Sequence, residues 1–320
     1  HRRVVRPGYA RLVAGGGGTA IVSEATIIKQ IEQTCASGRK VWDVFSDWLD
    51  IVEATLEALP RHAESVAKTG RPAEDTPAVQ ERWNALRKTY QRDDFVRFGT
   101  AFSALLDSAA ERSRANHVPD SGTAIDVPAD ERGTWDILGN VYMQLAVSSH
   151  YSGQYFTPWA AARLMAYTTL DGVEAMCRER VAQAIDNGPW GKLGLANGAS
   201  ITQPGKEQVM LMALAENYAY LEPVTVNDPA CGSGIMLLAA ASYCPKWALN
   251  CAVVRFYGQD IDRQCVQMAR INMMIYGLNG FGTKLNAAMA GVKAAPAATA
   301  PAAPDVTLPA GKLEQGGLFA

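Results

Sequence analysis

The run Val224, Thr225, Val226 breaks at Asn227 into a glycine turn, Asp228-Pro229-Ala230-Cys231-Gly232-Ser233-Gly234, which leads directly into the apolar stretch from Ile235. A short β-branched run punctuated this way reads as a buried strand feeding a helix, so this part of the chain must be α/β. Backbone with almost no side chain at Gly232, Ser233 and Gly234 lets peptide N–H groups approach a ligand closely. The amino end of the following helix adds a field that favours a carboxylate or phosphate. A ligand is therefore expected at this turn.

The surroundings of the turn narrow the ligand class. A dinucleotide fingerprint needs a third glycine and an acid about 20 residues on. Here the third glycine position is Leu237, and the next strand-terminal acid is Asp260, after the strand expected over Val253 to Tyr257. The acid-Pro pair before the glycines, the segment YGQDID at Tyr257 to Asp262, and SGQYFTPWAAARLMA at Ser152 to Ala166 occur together and in order. This set resembles the S-adenosylmethionine pocket of the N-6 adenine-specific DNA methyltransferases, in particular the modification subunits of type I restriction systems and their single-chain relatives.

That resemblance implies an α/β fold, a Rossmann-like S-adenosylmethionine-dependent methyltransferase core preceded by a mostly helical amino-terminal domain. It implies that Tyr155, Phe156, Thr157 and Pro158 line the methionine end of the cofactor. Asp228, Pro229, Ala230, Cys231, Gly232, Ser233 and Gly234 would form the floor, and Asp260, with Ile261 beside it, would meet the ribose. A carboxylate suits that place because it accepts hydrogen bonds from both hydroxyls of a ribose edge. Plainer readings stand beside these. Asp262 reads as the cap of a helix over Arg263 to Tyr276. Thr157 and Pro158 have the pattern of a helix start. Cys231 reads as a small packing residue.

Methyltransferases of this kind carry an (Asn/Asp/Ser)-Pro-Pro-aromatic tetrapeptide that holds the flipped adenine. This chain has no Pro-Pro pair. The nearest lookalike, Asn187 to Trp190, has Gly188 in place of the first proline, precedes the glycine turn, and reads as a loop. After the strand ending at Tyr257, a further strand is expected only near Thr283 to Ala287, so the core reads as incomplete. An open sheet edge leaves unpaired backbone groups, which leaves three alternatives: a fragment, a sheet completed by a partner subunit or second copy, or a relative that kept binding and lost chemistry. The chain alone is expected to be inactive.

The rest divides into a flexible basic arm (1–22), a helical domain (23–150), the methyltransferase-like domain (151–286) and an Ala/Pro-rich tail read as disordered (287–320). With 320 residues, 48% of them hydrophobic, two domains can each bury a core. Val41, Phe45, Trp48, Leu49, Val52 and Leu56 recur at helical spacing and predict an amphipathic helix ending near Pro60. Other helices are expected over Glu24–Cys35, 78–91, 95–113 and 134–150. No stretch is long and apolar enough to span a membrane. Six cysteines without a CxxC pair, and scattered histidines, point to reduced thiols in a cytoplasm rather than to zinc or disulfides. The resemblance implies double-stranded DNA as partner, yet a net charge of -2 leaves only local basic patches for phosphate. These are Arg2, Arg3, Arg6 and Arg11, and a second group at Arg82, Arg87, Lys88, Arg92 and Arg97 interleaved with Trp83 and Tyr90. At the far end, Gln315, Leu318 and Phe319 resemble the short peptides that dock bacterial sliding clamps.

Overall fold

The computed structural model describes residues 18–36, 38–114, 134–145 and 156–280. The leading basic arm, the loop 119–130, the strand expected near residue 283, the alanine-rich tail and the clamp-like peptide lie outside or largely outside these segments. Five helices come first: α1 (Gly18–Cys35), α2 (Val41–Thr69), α3 (Pro77–Thr89), α4 (Arg92–Arg114) and α5 (Ile137–Gln144). Phe45, Trp48, Leu49 and Val52 are fully buried along one face of α2, as a 3.6-residue period requires. Trp48 Nε1 satisfies itself on the Phe98 carbonyl of α4 at 3.2 Å.

Three expectations for this half need correction. The helix start predicted at Glu24 falls earlier, so residues 18–22 are helical rather than part of a flexible arm. Pro60 does not end α2, which continues to Thr69. Proline removes a single helical hydrogen bond and crowds the preceding turn. The packed face before it and a left-handed close at Gly70 (φ 72°), whose N–H donates to the Val66 carbonyl, hold the helix through that defect. The aromatic residues of the second basic patch also face inward. Tyr90 is 3% exposed and donates its hydroxyl to Asp47 Oδ2 at 2.6 Å, Trp83 packs on the helical core, and Arg97 is paired with Asp94 at 2.8 Å.

The second half carries α6 (Trp159–Thr169), α7 (Val173–Asn187), α8 (Pro189–Lys192), α9 (Gly198–Ile201), α10 (Glu207–Asn217), β1 (Val224–Asp228), α11 (Ile235–Tyr243), α12 (Lys246–Asn250), β2 (Val254–Gly258) and α13 (Arg263–Ile275). The Asn187–Trp190 segment read as a loop forms the end of α7 and the start of the single turn α8. β1 and β2 pair in parallel, from Val224 opposite Val254 to Asp228 opposite Gly258. Leu237 and Leu238 of α11 share a buried core with Val224, Val254 and Phe256 on one face of the sheet. Among the described residues the protein is thus mostly helical with a two-stranded parallel sheet, and no further strand builds a doubly wound core.

The far edge of β2 is nevertheless occupied. Asn279, in the left-handed region at φ 54°, accepts from the Phe256 N–H at 2.8 Å and donates to the Phe256 carbonyl at 2.9 Å. Its side-chain amide makes the pair of bonds that a neighbouring strand would make. α13 ties the halves together: Cys265, Met268 and Ile271 enter the helical core, while Gln267 and Arg270 reach Asp50 and Glu53 on α2.

Candidate functional site

The turn between β1 and α11 is fixed by backbone bonds to the segment after β2. Asp228 accepts from the Ala230 N–H through Oδ1 at 3.1 Å and from the Gln259 N–H through its carbonyl at 2.9 Å. Cys231 N–H then donates to the Gln259 carbonyl at 2.8 Å. Gly232 and Gly234 stand at φ +51° and +91°, where an L side chain is strained. The Gly232 N–H donates to Asp260 Oδ2 at 2.9 Å, and the other carboxylate oxygen accepts from the Asp262 N–H at 2.9 Å. A Cβ on Gly232 would stand 3.2 Å from the Phe156 ring, and one on Gly234 would stand 3.1 Å from Ala269 of α13. One glycine therefore admits an aromatic ring above the turn, and the other admits a helix below it.

Two recesses flank the turn. The first, about 330 Å³, has Phe156 and Thr157 on one wall, Ala230, Cys231 and Gly232 as floor, and Asp260 and Ile261 on the other wall. The second, about 350 Å³, reaches Val226, Asn227 and Asp228 at the end of β1. Thr157 and Met236 border both. Asp228 Oδ2 is buried without a hydrogen-bond partner among the described residues, and Ile261 is fully exposed at the rim. Phe156, Thr157, Ala230, Cys231, Gly232, Asp260 and Ile261 are therefore brought together, with Asp228 on the adjoining recess. Pro158 and Pro229 are exposed and line neither recess. Tyr155 lies outside the described residues.

Several roles differ from those expected. Ser233 is fully buried and turned away from both recesses. Asp260 already ties the turn to the residue after it, but a carboxylate has about four acceptor positions, so it retains capacity for a ligand hydroxyl. Asp262 caps α13, accepting from the Gln264 N–H at 2.8 Å, as read from sequence. Pro158, not Thr157, occupies the cap position of α6. Burial first, with Asp260 and Asp228 beside it, pushes the Cys231 thiol up to about 11, which makes it a neutral packing group.

Sequence reasoning missed Asp136. It caps α5 through the Gly139 N–H at 2.8 Å, accepts from Asn272 Nδ2 of α13 at 2.9 Å, and accepts the Ser233 hydroxyl. Its signal was local, an acid three residues before a glycine at a helix start, but nothing in that pattern announces the turn it would meet 97 residues on. Desolvation pushes this carboxyl up to about 6, against the pull of its three donors.

A parallel strand, a turn of left-handed glycines, a helix and a second strand followed closely by an acid form the strand–turn–helix arrangement that α/β proteins place at their ligand sites. Residues 209–291 match the family described as N-6 DNA Methylase. This match supports the resemblance to the N-6 DNA methyltransferases seen in the sequence. Phe156 and Thr157 precede the matched residues. No curated protein and no solved structure matches the chain. Among the described residues no group of His, Cys, Asp and Glu side chains could hold a metal ion, and no helix is long and apolar enough to cross a membrane.

Proposed function

We propose that the chain binds S-adenosylmethionine over the glycine turn and contributes this site to N-6 methylation of adenine in double-stranded DNA. The observation that carries the reading is the convergence of Phe156 and Thr157, the Gly232 backbone, and Asp260 with Ile261 on one recess, although they come from three separate stretches of chain. The donor set suits the ligand. Asp260 would accept ribose hydroxyls, Ile261 offers an apolar surface to a base, and the orphaned Asp228 Oδ2 suits an ammonium group. Phe156 offers an apolar wall to the recess, and the missing side chain at Gly232 lets that ring close onto the turn. When bound, the cofactor supplies an electrophilic methyl group.

The sequence lacks the Pro-Pro tetrapeptide that would hold the target amine, so in this reading the group comes from a partner or from a longer form of the protein. The edge of β1 away from β2, which pairs with no strand among the described residues, is where such a strand would join. The helical region 23–150 and the cofactor region 151–286 act as two domains in this reading, within a restriction-modification, defence or mobile-element system. Six free cysteines fit a reducing cytoplasm.

Calorimetric titration with S-adenosylmethionine tests the pocket: binding by the wild type and its severe loss in Gly232→Val and Asp260→Ala are expected, and unchanged affinity in both variants would refute the assignment. Transfer of labelled methyl to DNA tests the chemistry. Labelled adenine formed by the purified chain alone would overturn the reading that the amine-holding group lies elsewhere. Cofactor binding with no transfer under any partner would favour a non-catalytic interaction subunit, a reading supported by the absent tetrapeptide.

A further inference from the structure

The glycine turn is held from below by a buried carboxylate. Three donors from three elements meet at Asp136, which is 3% exposed: the Gly139 N–H of α5, Asn272 Nδ2 of α13, and the Ser233 hydroxyl of the turn. Asn272 closes the triangle by also donating to the Ser233 carbonyl at 3.0 Å. Gly139 must be a glycine, because a Cβ there would collide with Asp136 Oδ2 and Ser233 Oγ. Ser233 sits between the two left-handed glycines, so fixing it fixes the peptides on either side, including the Gly232 N–H that meets Asp260.

We propose that Asp136 is a positioning residue for ligand uptake: as a carboxylate it holds Ser233, and through it the Gly232–Gly234 backbone, in the ligand-binding conformation, and protonation loosens the turn. The ligand half of this inference rests on the reading that the recess takes S-adenosylmethionine. A carboxylate accepts all three donors at once, whereas a carboxylic acid or an amide carries a donor of its own and leaves one of the three without an acceptor. Ser233 is fully buried, so water does not replace the lost partner.

The change falls near physiological pH because burial pushes Asp136 up to about 6. The thiols and the phenol packed around it are pushed up, away from that range, and the carboxylates nearest the turn, Asp260 and Asp262, exert their effect on those groups. On α13, burial first and then Asp262 and Asp260 push the Cys265 thiol up to about 12; on the turn, the Cys231 thiol is pushed up to about 11; on α5, Tyr142 is pushed up to about 12. The Tyr276 hydroxyl, just past α13, is bonded to the Trp135 backbone. No charged side chain contributes to the shift of Asp136 itself.

The test uses the full chain as wild type, Asp136→Asn and Ser233→Ala. S-adenosylmethionine affinity is measured by calorimetry from about pH 5 to about pH 8, and the Gly232 and Gly234 amide resonances are followed without ligand over the same range. The wild type is expected to lose about tenfold in affinity on acidification through pH 6, the worth of one orphaned buried donor. Asp136→Asn should bind weakly with a flat profile, Ser233→Ala should show a shallower profile than the wild type, and the two glycine amides should titrate in the wild type alone. Wild-type affinity and pH profile in Asp136→Asn would overturn the proposal. If the wild type binds no S-adenosylmethionine at any pH, the ligand assignment fails separately. The ligand-free glycine amides then decide: titration in the wild type and not in Asp136→Asn supports the positioning role, and its absence ends it.

Discussion

Asp136→Asn also separates what the buried charge costs the fold from what it does for the turn. The carboxyl stands at about 6 in the folded chain against an ordinary value of 3.8, because burial penalises the charged form more than Ser233, Gly139 and Asn272 favour it. A raised folded value means that the native state binds the proton more tightly than the unfolded chain. The contribution of this group to stability is therefore fully present below about pH 4 and is lost as pH rises through about 6. A difference of about two units at about 1.4 kcal/mol each gives roughly 2–3 kcal/mol between about pH 4 and about pH 7.5. The asparagine variant has no such proton, so its stability relative to wild type should rise by about 2–3 kcal/mol over the same interval, while every other carboxylate titrates alike in both proteins and cancels. Urea unfolding at the two pH values, followed by tryptophan fluorescence, measures this double difference. An equal gap between variant and wild type at both pH values would show that Asp136 does not carry a buried charge, and the account of the turn would lose its basis. The expected pattern is a variant that gains stability relative to wild type as pH rises and yet binds its ligand less well.

Three further outcomes follow from the same geometry. Gly232→Ala places a methyl group at φ +51° and 3.2 Å from the Phe156 ring; it should cost about 1–2 kcal/mol of stability from backbone strain alone, and ligand affinity should fall with it, measured by unfolding and calorimetry together. Asn279→Gly should lose about 1–3 kcal/mol with the two bonds to Phe256, whereas Asn279→Ala should lose a further 1–2 kcal/mol, roughly, because φ 54° is then strained; equal losses in urea unfolding would contradict the edge-pairing account. Cys231 and Cys265, buried and pushed up to about 11 and about 12, should resist iodoacetamide in the native protein at pH 8 and react only after unfolding, as read by intact mass.

What was legible in the sequence was what is written locally. A β-branched run, glycine punctuation and an apolar continuation specify β1, the turn and α11 within a dozen residues, so the turn could be placed at Gly232 before any fold was known. The capping role of Asp262 was legible for the same reason, since capping geometry depends on the next two or three residues. The buried face of α2 followed from its period. Pro60 misled because a proline signals a helix end only when the packing around it is weak. Ser233 misled because its environment is set by Asp136 and Asn272, 97 and 39 residues away, and a small polar residue in a glycine turn looks identical whether it faces a ligand or a core.

The two strands themselves say what kind of completion the sheet requires. Parallel sheets covered by helices on both faces read as near-continuous apolar runs. Here Val224, Val254 and Phe256 face the α11 side and are buried, while Thr225, Asn227, Arg255 and Tyr257 alternate with them on the other face. The Tyr218 hydroxyl and then Tyr257 hold the Arg255 guanidinium above its ordinary range, so that face carries polar groups. Asn279 already supplies the outer edge of β2 with strand-like bonds. Among the described residues the unmet demand therefore narrows to the edge of β1 away from β2, beside Asp228 and the second recess. Backbone pairing there would satisfy the sheet and, in the function proposed above, would bring an added strand end beside the cofactor recess. In that reading a single added strand would meet both the unpaired edge and the need for a group that holds the target amine.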